Sequence, residues 1–521
     1  MPSINFKMRL VVLSVMLVAM AVPAVARASS SQISIMMDDD LLLYRTDAIR
    51  DNALRQMKNL GADAVRVTVL WSVVAENANS GSHKKRFKRL GAQNPAAYPK
   101  ANWDRYDRLD RACKTLALTC YFDVTGPGPS WTHKKPPSQY SGDAKQWMPN
   151  PRLFYKFVQA VGARYNGRYS DENDNHVTLP RVSFWSLWNE PNQGGWLRPQ
   201  FLNGKPVSPS LYRALYLFGH RALVSTGHGN DVILAGETSP LAGTSTGTRS
   251  AMGPRQFINE LLCGPGSTGL GCSDFDKNGP ILATAWAHHP YTKNGPPNQA
   301  PADPQSITLA NIDDLGTLLD SLAATGHIRT AMPIMSTEFG WETNPPDPFA
   351  TTSLDNQANY IEQAELQTYL DPRIIGNTQF LLRDVKPNKK KSPGSKAYWG
   401  TYQSGLETAG GGPKPALLAY MFPFLAGVAS HDPTTNAPIV NIFGQLRFLP
   451  NGNPSLTNVQ LQWAPAGTTS YVNLGPPQPV TNLVGYFTFA NVSLPGAGLL
   501  RAAWSGPQVP GGIVSRPQAV Q

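Results

Sequence analysis

The chain has 521 residues, 41% hydrophobic and only 16% charged, with 45 Gly, 46 Pro and a formal net charge of +11. A charged fraction so far below the usual figure of about 25%, with this much turn-forming residue, describes a large, loop-rich globular protein and excludes a coiled coil or an acidic disordered chain. The basic balance makes nucleic acid a partner to be tested against the motifs.

Residues 1–28 read as a secretory signal. Lys7 and Arg9 precede an uncharged apolar run from Leu10 to Val22, and Ala26-Arg27-Ala28 supplies a small-x-small cleavage pattern. The run is shorter than the roughly 20 apolar residues that span a bilayer, so cleavage is expected instead of anchoring. Cleavage removes Lys7, Arg9 and Arg27 and no acid, which lowers the charge from +11 to +8. The expected location is extracellular or at the cell envelope, with no transmembrane segment left.

From 29 to 428, apolar strand patterns alternate with helical ones. Strands are predicted over 33–37, 64–71, 118–124, 182–188, 231–235, 281–287, 333–336 and 374–382. Helices are predicted over 46–60, 104–116, 151–169, 210–226, 254–262, 309–324, 354–370 and 415–422. Strands that alternate with helices imply right-handed parallel crossovers, and eight such units close a (β/α)8 TIM barrel. An open doubly wound sheet is the competing α/β architecture, but the first strand–helix turn lacks a Gly-rich phosphate loop.

The helix signal stops near residue 430. Short strands predicted over 438–448, 459–463, 471–474, 485–492 and 498–504, separated by turns such as Pro450-Asn451-Gly452, suggest a small antiparallel β-sandwich over 429–506. Residues 507–521, rich in Pro and Gly, read as a flexible tail.

Secretion permits disulfides. Cys263 and Cys272 bracket the flexible segment GPGSTGLG and are expected to pair; the pairing of Cys113 and Cys120 is left open. Neither pair has zinc-ligand spacing, so no metal is expected, and no cofactor.

In a barrel the chemistry sits at the C-terminal strand ends. Here those ends carry Arg66 and Trp71; Asp123 and, further on, Trp131; Trp188-Asn189-Glu190-Pro191-Asn192; Gly236-Glu237-Thr238; His288-His289-Pro290-Tyr291; and Ser336-Thr337-Glu338-Phe339-Gly340-Trp341. Two carboxylates at one mouth, Glu190 and Glu338, are what glycosidic cleavage needs: one protonates the departing oxygen and the other meets the anomeric carbon. The surrounding aromatic rings can desolvate an acid and stack on the apolar faces of sugars.

Three of these motifs carry a resemblance. FWSLWNEPN at 184–192, AWAHHPYT at 285–292 and IMSTEFGW at 334–341 resemble the fourth-, sixth- and seventh-strand motifs of clan A glycoside hydrolases, most closely members of families 5 and 39. The resemblance implies a retaining glycoside hydrolase with Glu190 as general acid/base and Glu338 as nucleophile. It implies that Asn189 binds the 2-hydroxyl of the sugar at the cleavage site, that Arg66 supports Glu338, and that Tyr291 hydrogen-bonds Glu338 with His289 in the same subsite. A transglycosylase with the same residues and a catalytically silent carbohydrate-binding protein are the alternatives. The eighth strand, TQFLLRDV, lacks the family's usual tryptophan, and Trp399 lies further along.

Other positions stay open. Trp71, Trp131 and Trp196 are sugar platforms or core, and Trp341 is counted with the substrate-binding residues. Glu237 and Glu342 lack the seventh-strand context of a nucleophile, and Glu237 is expected to orient a neighbour or a substrate hydroxyl. His288 reads as structural; Asp38 and Asp39 contact sugar or cap the strand end. Three basic clusters, His83 to Arg89, Lys134-Lys135 and Lys389 to Lys391, fall in loops after strands two, three and eight. They mark a cleft for an anionic glycan, retention on an acidic envelope, or a solvated surface. The partner is a carbohydrate; nucleic acid is not expected, and the chain is expected to be a monomer.

Overall fold

The computed structural model describes residues 29, 31–449 and 457–521. The expected signal segment, 1–28, and the turn at 450–452 lie outside the described residues.

Eight parallel strands close a barrel in chain order: β1 (Ile33–Met37), β2 (Ala64–Leu70), β3 (Thr119–Thr125), β4 (Phe184–Leu187), β5 (Val232–Thr238), β6 (Ala285–His288), β7 (Ile334–Phe339) and β8 (Ile374–Phe380), with β8 paired back to β1. The main helices are α1 (Asp47–Asn59), α2 (Lys100–Thr115), α3 (Pro151–Arg164), α4 (Ser208–Ser225), α5 (Pro254–Leu261), α6 (Ile312–Ala324), α7 (Leu354–Leu370) and α8 (Pro415–Met421). Their starts follow local chemistry. Asn150 accepts from the backbone of Arg152 and Leu153 at the head of α3, where Pro151 needs no donor, and Ser353 accepts from Asn356 to start α7. Side chains such as Ile35, Tyr121, Phe184, Leu234, Ala287 and Met335 fill the barrel interior, so it is a packed core. No helix among the described residues is long and apolar enough to cross a membrane.

The segments that follow the first two strands carry short helices the sequence expectation lacked. β1 ends at Met37 as expected, and Asp38 then accepts from the Leu41 backbone and starts a short helix, Asp39–Leu43. Trp71 leaves β2 to begin another, Trp71–Val74. The basic run after β2 is a helix, Lys84–Leu90, pinned by buried Phe87.

Antiparallel sheets follow the barrel. One is β9 (Phe424–His431), β10 (Pro438–Gln445) and, after the next segment, β14 (Tyr486–Ser493). The other is built on β11 (Thr457–Pro465), which pairs with β12 (Val472–Asn473), with β13 (Gln478–Val480) and with β15 (Gly498–Gly506). Their inner faces share a core that includes Phe424, Val440, Val459, Leu461, Phe487, Leu500 and Trp504. This sandwich therefore starts at Phe424, ahead of the expected 429. The expected flexible tail is paired backbone: β16 (Val509–Val514) and β17 (Gln518–Val520) both hydrogen-bond to β15. The sequence hid this because Pro and Gly interrupt the segment five times, while apolar residues between them do the anchoring: Val509 and Ile513 pack on the sandwich core and Val520 is buried.

The two units meet through buried polar contacts. Arg447 donates to the Tyr420 carbonyl and to Ser34 on β1, and pairs with Glu365 of α7 at 2.7 Å. Gly61, after α1, lies with φ +90 where a Cβ would fall on the Arg447 carbonyl, so only glycine fits. The structure pairs Cys263 with Cys272 and also Cys113 with Cys120.

Candidate active site

A cleft of about 720 Å³ opens at the C-terminal ends of the barrel strands, and Glu190, Glu338, Asn189 and Tyr291 line it. The turn after β4 builds its acid side. Trp188 (φ +74) and Glu190 (φ +39) both occupy the left-handed region, at a cost on the order of 1–3 kcal/mol each. Three hydrogen bonds hold that turn: Trp188 N to the Val124 carbonyl (3.0 Å), Asn189 N to Thr125 Oγ1 (2.8 Å) and Glu190 N to the Glu237 carbonyl (3.0 Å). Trp188 itself is buried, edge-on to Phe154. The backbone is thus bent to leave the Glu190 side chain at the cleft wall, 21% exposed.

Glu338 ends β7 on the opposite side. Its Oε1 accepts from Arg66 Nη1 at 2.8 Å and its Oε2 from the Tyr291 hydroxyl at 3.1 Å. Carboxylate oxygens of Glu190 and Glu338 approach within 4.8 Å.

Behind the pair lies a buried charge network. Arg66 Nη2 donates to Asn189 Oδ1 (2.9 Å), Glu237 Oε2 (2.9 Å) and Asp123 Oδ2 (3.2 Å). Glu237 also accepts from Tyr121, Thr337 (2.9 Å) and His289 Nε2 (2.7 Å). The other ring nitrogen of His289 lies 3.0 Å from Glu190 Oε1. Burial disfavours the Arg66 charge, but Glu237, Glu338 and Asp123 more than offset it and hold the guanidinium cationic. Burial would likewise lower the His289 pKa. The charge of Glu338 and the hydrogen bonds to Glu190 and Glu237 outweigh it and push it up to about 10. Burial raises the Glu237 pKa, yet Arg66 and His289 hold the group well below the usual carboxylate range. Burial pushes Asp123 up to about 7 even beside Arg66, and Asp39, on the cleft wall, up to about 6.

Glu190, His289 and Glu338 are the one group among the described residues whose donor atoms converge closely enough to hold a metal ion. A ligating imidazole must be neutral, and the raised pKa keeps a proton on both ring nitrogens near neutral pH. As arranged, His289 is a double hydrogen-bond donor.

The structure brings Glu190, Glu338, Asn189, Arg66, His289 and Tyr291 together. It does not bring the expected tryptophans with them. Trp71 is buried and stacked on Phe157 at 5.4 Å. Trp341 is buried between Phe339 and Tyr360, its indole donating to the Gly295 carbonyl at 2.9 Å. Trp131 packs on Phe87 and lines a separate hollow with Pro129 and Glu76. Three rings that the strand-end positions suggested as sugar platforms are therefore core or loop supports. Of the tryptophans weighed, Trp196 does line the cleft.

The loop after β8 contributes Tyr402, 56% exposed and edge-on to Phe380, while Trp399 packs against Tyr398 instead. Sequence reasoning missed Tyr402 because nothing local marks which aromatic of a long loop folds back. Asp39 lines the cleft and accepts from the Thr68 backbone at 3.1 Å; Asp38 is buried as a cap. His288 is structural, bound to Thr238 and the Ile307 carbonyl. The three basic clusters are exposed, and none of their residues lines the cleft; its lining cation is Lys293.

No family model matches the sequence, and no curated protein matches it. Among solved structures, a GH30 endoxylanase from Clostridium papyrosolvens superposes with a TM-score of 0.44 at 12% identity, over 91% of this chain and 96% of that one. A GH5_18 protein from Streptomyces cattleya, solved with GlcNAc, gives 0.44 at 15% identity, over 76% and 79%. A calcium-binding mutant of Bacteroides uniformis β-glucuronidase 2 gives 0.39 at 14% identity over 95% of this chain. The chain spans 45% of the length of that β-glucuronidase and 56% of an FMN-binding one.

Proposed function

We propose that this chain is an exported retaining glycoside hydrolase that cleaves β-glycosides of an oligo- or polysaccharide. The observation that carries the reading is the Glu190–Glu338 pair, with oxygens within 4.8 Å across a cleft. Oxygens that close favour the carboxyl spacing of about 5–5.5 Å used in double displacement over the roughly 6.5–9.5 Å that leaves room for an attacking water.

Glu338 attacks the anomeric carbon while Glu190 protonates the departing oxygen, so the glycosidic C–O bond breaks as the ester bond to Glu338 forms. Glu190, now a carboxylate, takes a proton from water, which displaces Glu338 and releases the sugar with its original anomeric configuration. Arg66 and Tyr291 fix both oxygens of Glu338 and disperse its charge before attack. Asn189 commits its carbonyl to Arg66, which leaves its amide N–H free to donate to a sugar hydroxyl. Tyr402 and Trp196 offer ring faces along the cleft.

The test is turnover of a panel of aryl β-glycosides by wild type, Glu190→Ala and Glu338→Ala, with NMR of the first-formed anomer. Retention, with loss of turnover in Glu338→Ala and its return as glycosyl azide when azide is added to Glu190→Ala, is the expected result. An inverted product or full activity in Glu338→Ala rejects the assignment. Export through residues 1–28 is tested separately by the N-terminus of the protein recovered from the medium.

A further inference from the structure

A larger concavity lies away from the carboxylates. It is a groove of about 1170 Å³ on the outer face of the sheet built on β11 and β15, and among the described residues none that lines it is Asp, Glu, Lys, Arg or His. In a chain of net charge +11, a hollow of that size without an ionisable group is a specific chemical statement.

The polar side chains of the lining are amides and hydroxyls, set beside apolar Leu449, Trp504, Ile513 and Val514. Asn458, Gln460 and Gln462 alternate along β11, so all three stand on one face, while Val459 and Leu461 between them enter the sandwich core. Asn473, Ser505 and Gln508 line the same groove. Two of the amides are fixed in advance. Gln460 Nε2 donates to the Leu461 and Gly475 carbonyls at 2.8 and 3.1 Å, and its Oε1 has no partner among the described residues. Gln462 Nε2 donates to Asn473 Oδ1 at 3.1 Å, and the Asn473 amino group has no partner among the described residues. The nearby cation, Arg501, is not among the lining residues: its Nε donates to Gln462 at 2.9 Å and its guanidinium lies 3.7 Å over the Tyr471 ring.

An unspent acceptor and donor on pre-positioned side chains match a ligand whose groups both donate and accept, which is what a hydroxyl does. An ionic ligand would find no ionisable side chain in the described lining. An added peptide strand would pair with the main chain of a sheet edge, whereas these groups stand on the sheet's face. We infer that the β-sandwich carries a second, non-catalytic carbohydrate-binding groove for an uncharged polysaccharide. It would hold the polymer while the barrel cleft works on it, a purpose that rests on the hydrolase reading; the binding itself does not.

The test is affinity electrophoresis of the full chain carrying Glu190→Gln, which keeps the polymer intact, through gels of mixed-linkage β-glucan, arabinoxylan, galactomannan or polygalacturonate. The same protein with Gln460→Ala and Gln462→Ala added, and a second version with Asn458→Ala and Gln508→Ala, share its cleft, so a difference belongs to the groove. The expected result is retardation by at least one neutral polymer, with an association constant about tenfold weaker in the groove variants, the size expected for two lost hydrogen bonds. Retardation by polygalacturonate should be equal in all three. Equal retardation of all three proteins by every neutral polymer, or none of any, overturns the inference. Aryl glycoside turnover by the groove variants in the Glu190 background should match wild type; its absence in wild type would sink the hydrolase reading and leave the groove result standing.

Discussion

His289 bridges two carboxylates, its Nδ1 3.0 Å from Glu190 Oε1 and its Nε2 2.7 Å from Glu237 Oε2. Glu237 is in turn held by Arg66, which also binds Glu338. The two carboxyls of the cleft are thus tied to a common buried anchor that does not itself line the cleft. Each is oriented by a cation, and each cation is oriented by Glu237.

The bridge should make stability depend on pH in one direction. His289 faces Glu190, Glu237 and Glu338, with Arg66 on the far side of the last two, and its folded pKa of about 10 exceeds the ordinary value of 6.5. A raised pKa stabilises the fold fully below the unfolded value and is lost as pH rises through the folded one. Wild type should therefore lose melting temperature relative to His289→Gln between pH 6.5 and about 10, with a constant difference below 6.5. Thermal melts of both proteins across that range check it. A difference that widens with rising pH would contradict a protonated His289.

Arg66 should separate folding from catalysis according to the substitution. It is fully buried among Asp123, Glu237 and Glu338, so Arg66→Met leaves buried carboxylates unpaired at a cost of about 3–5 kcal/mol. Little soluble protein is expected. Arg66→Lys keeps one charge but cannot reach Glu338, Asn189 and Glu237 together. It should fold, with kcat down about 10²-fold and KM little changed, since the lost contacts orient Glu338, the proposed nucleophile. Steady-state kinetics on an aryl glycoside decide; a change confined to KM would place Arg66 in ordinary substrate binding.

The aromatic residues should divide by position. Trp71→Ala removes a fully buried ring stacked on Phe157 and should cost about 3–5 kcal/mol of stability, with KM unchanged in whatever folds. Trp196→Ala and Tyr402→Ala remove cleft-lining rings and should raise KM for oligosaccharides several-fold at nearly unchanged melting temperature. Denaturant melts and KM values measured on the same preparations test the split.

The barrel was legible because its signals are local and repeated: β-branched runs such as AVRVTVL and capped helices such as the one opened by Asn150-Pro151. The carboxyl pair was legible through the strand-end motifs, and the Arg66 and Tyr291 contacts to Glu338 through the resemblance those motifs carry; His289 was expected in the same subsite, and its bridge from Glu190 to Glu237 was not foreseen. The tryptophans misled because a strand end gives a side chain's height in the barrel but not whether it turns to the cleft or the helix layer. Trp71 turned outward onto α3, and Trp341 into its own loop. Asp123 and Glu237 became an anchor only through contacts across the barrel, which no window of sequence contains.

The C-terminal strands offer a final test, because a loose tail and a paired one predict opposite results. Arg516 pairs at 2.7 Å with Glu362 of α7, whose carboxylate is fully buried, and Gln518 donates to the same oxygen at 3.2 Å. Burial pushes the Glu362 pKa up to about 8 despite Arg516, so the pair is only partly ionic at pH 7. Arg516→Ala should then cost about 1–3 kcal/mol, the loss of a buried hydrogen-bonded partner and not that of a full buried ion pair. A substitution in a flexible tail would fall within about 0.5 kcal/mol. Adding Glu362→Met to Arg516→Ala removes the stranded carboxyl and should recover part of the loss, a coupling that a double-mutant cycle from urea melts reads directly. Additive effects would mean that β16 and β17 hold the tail without help from the barrel.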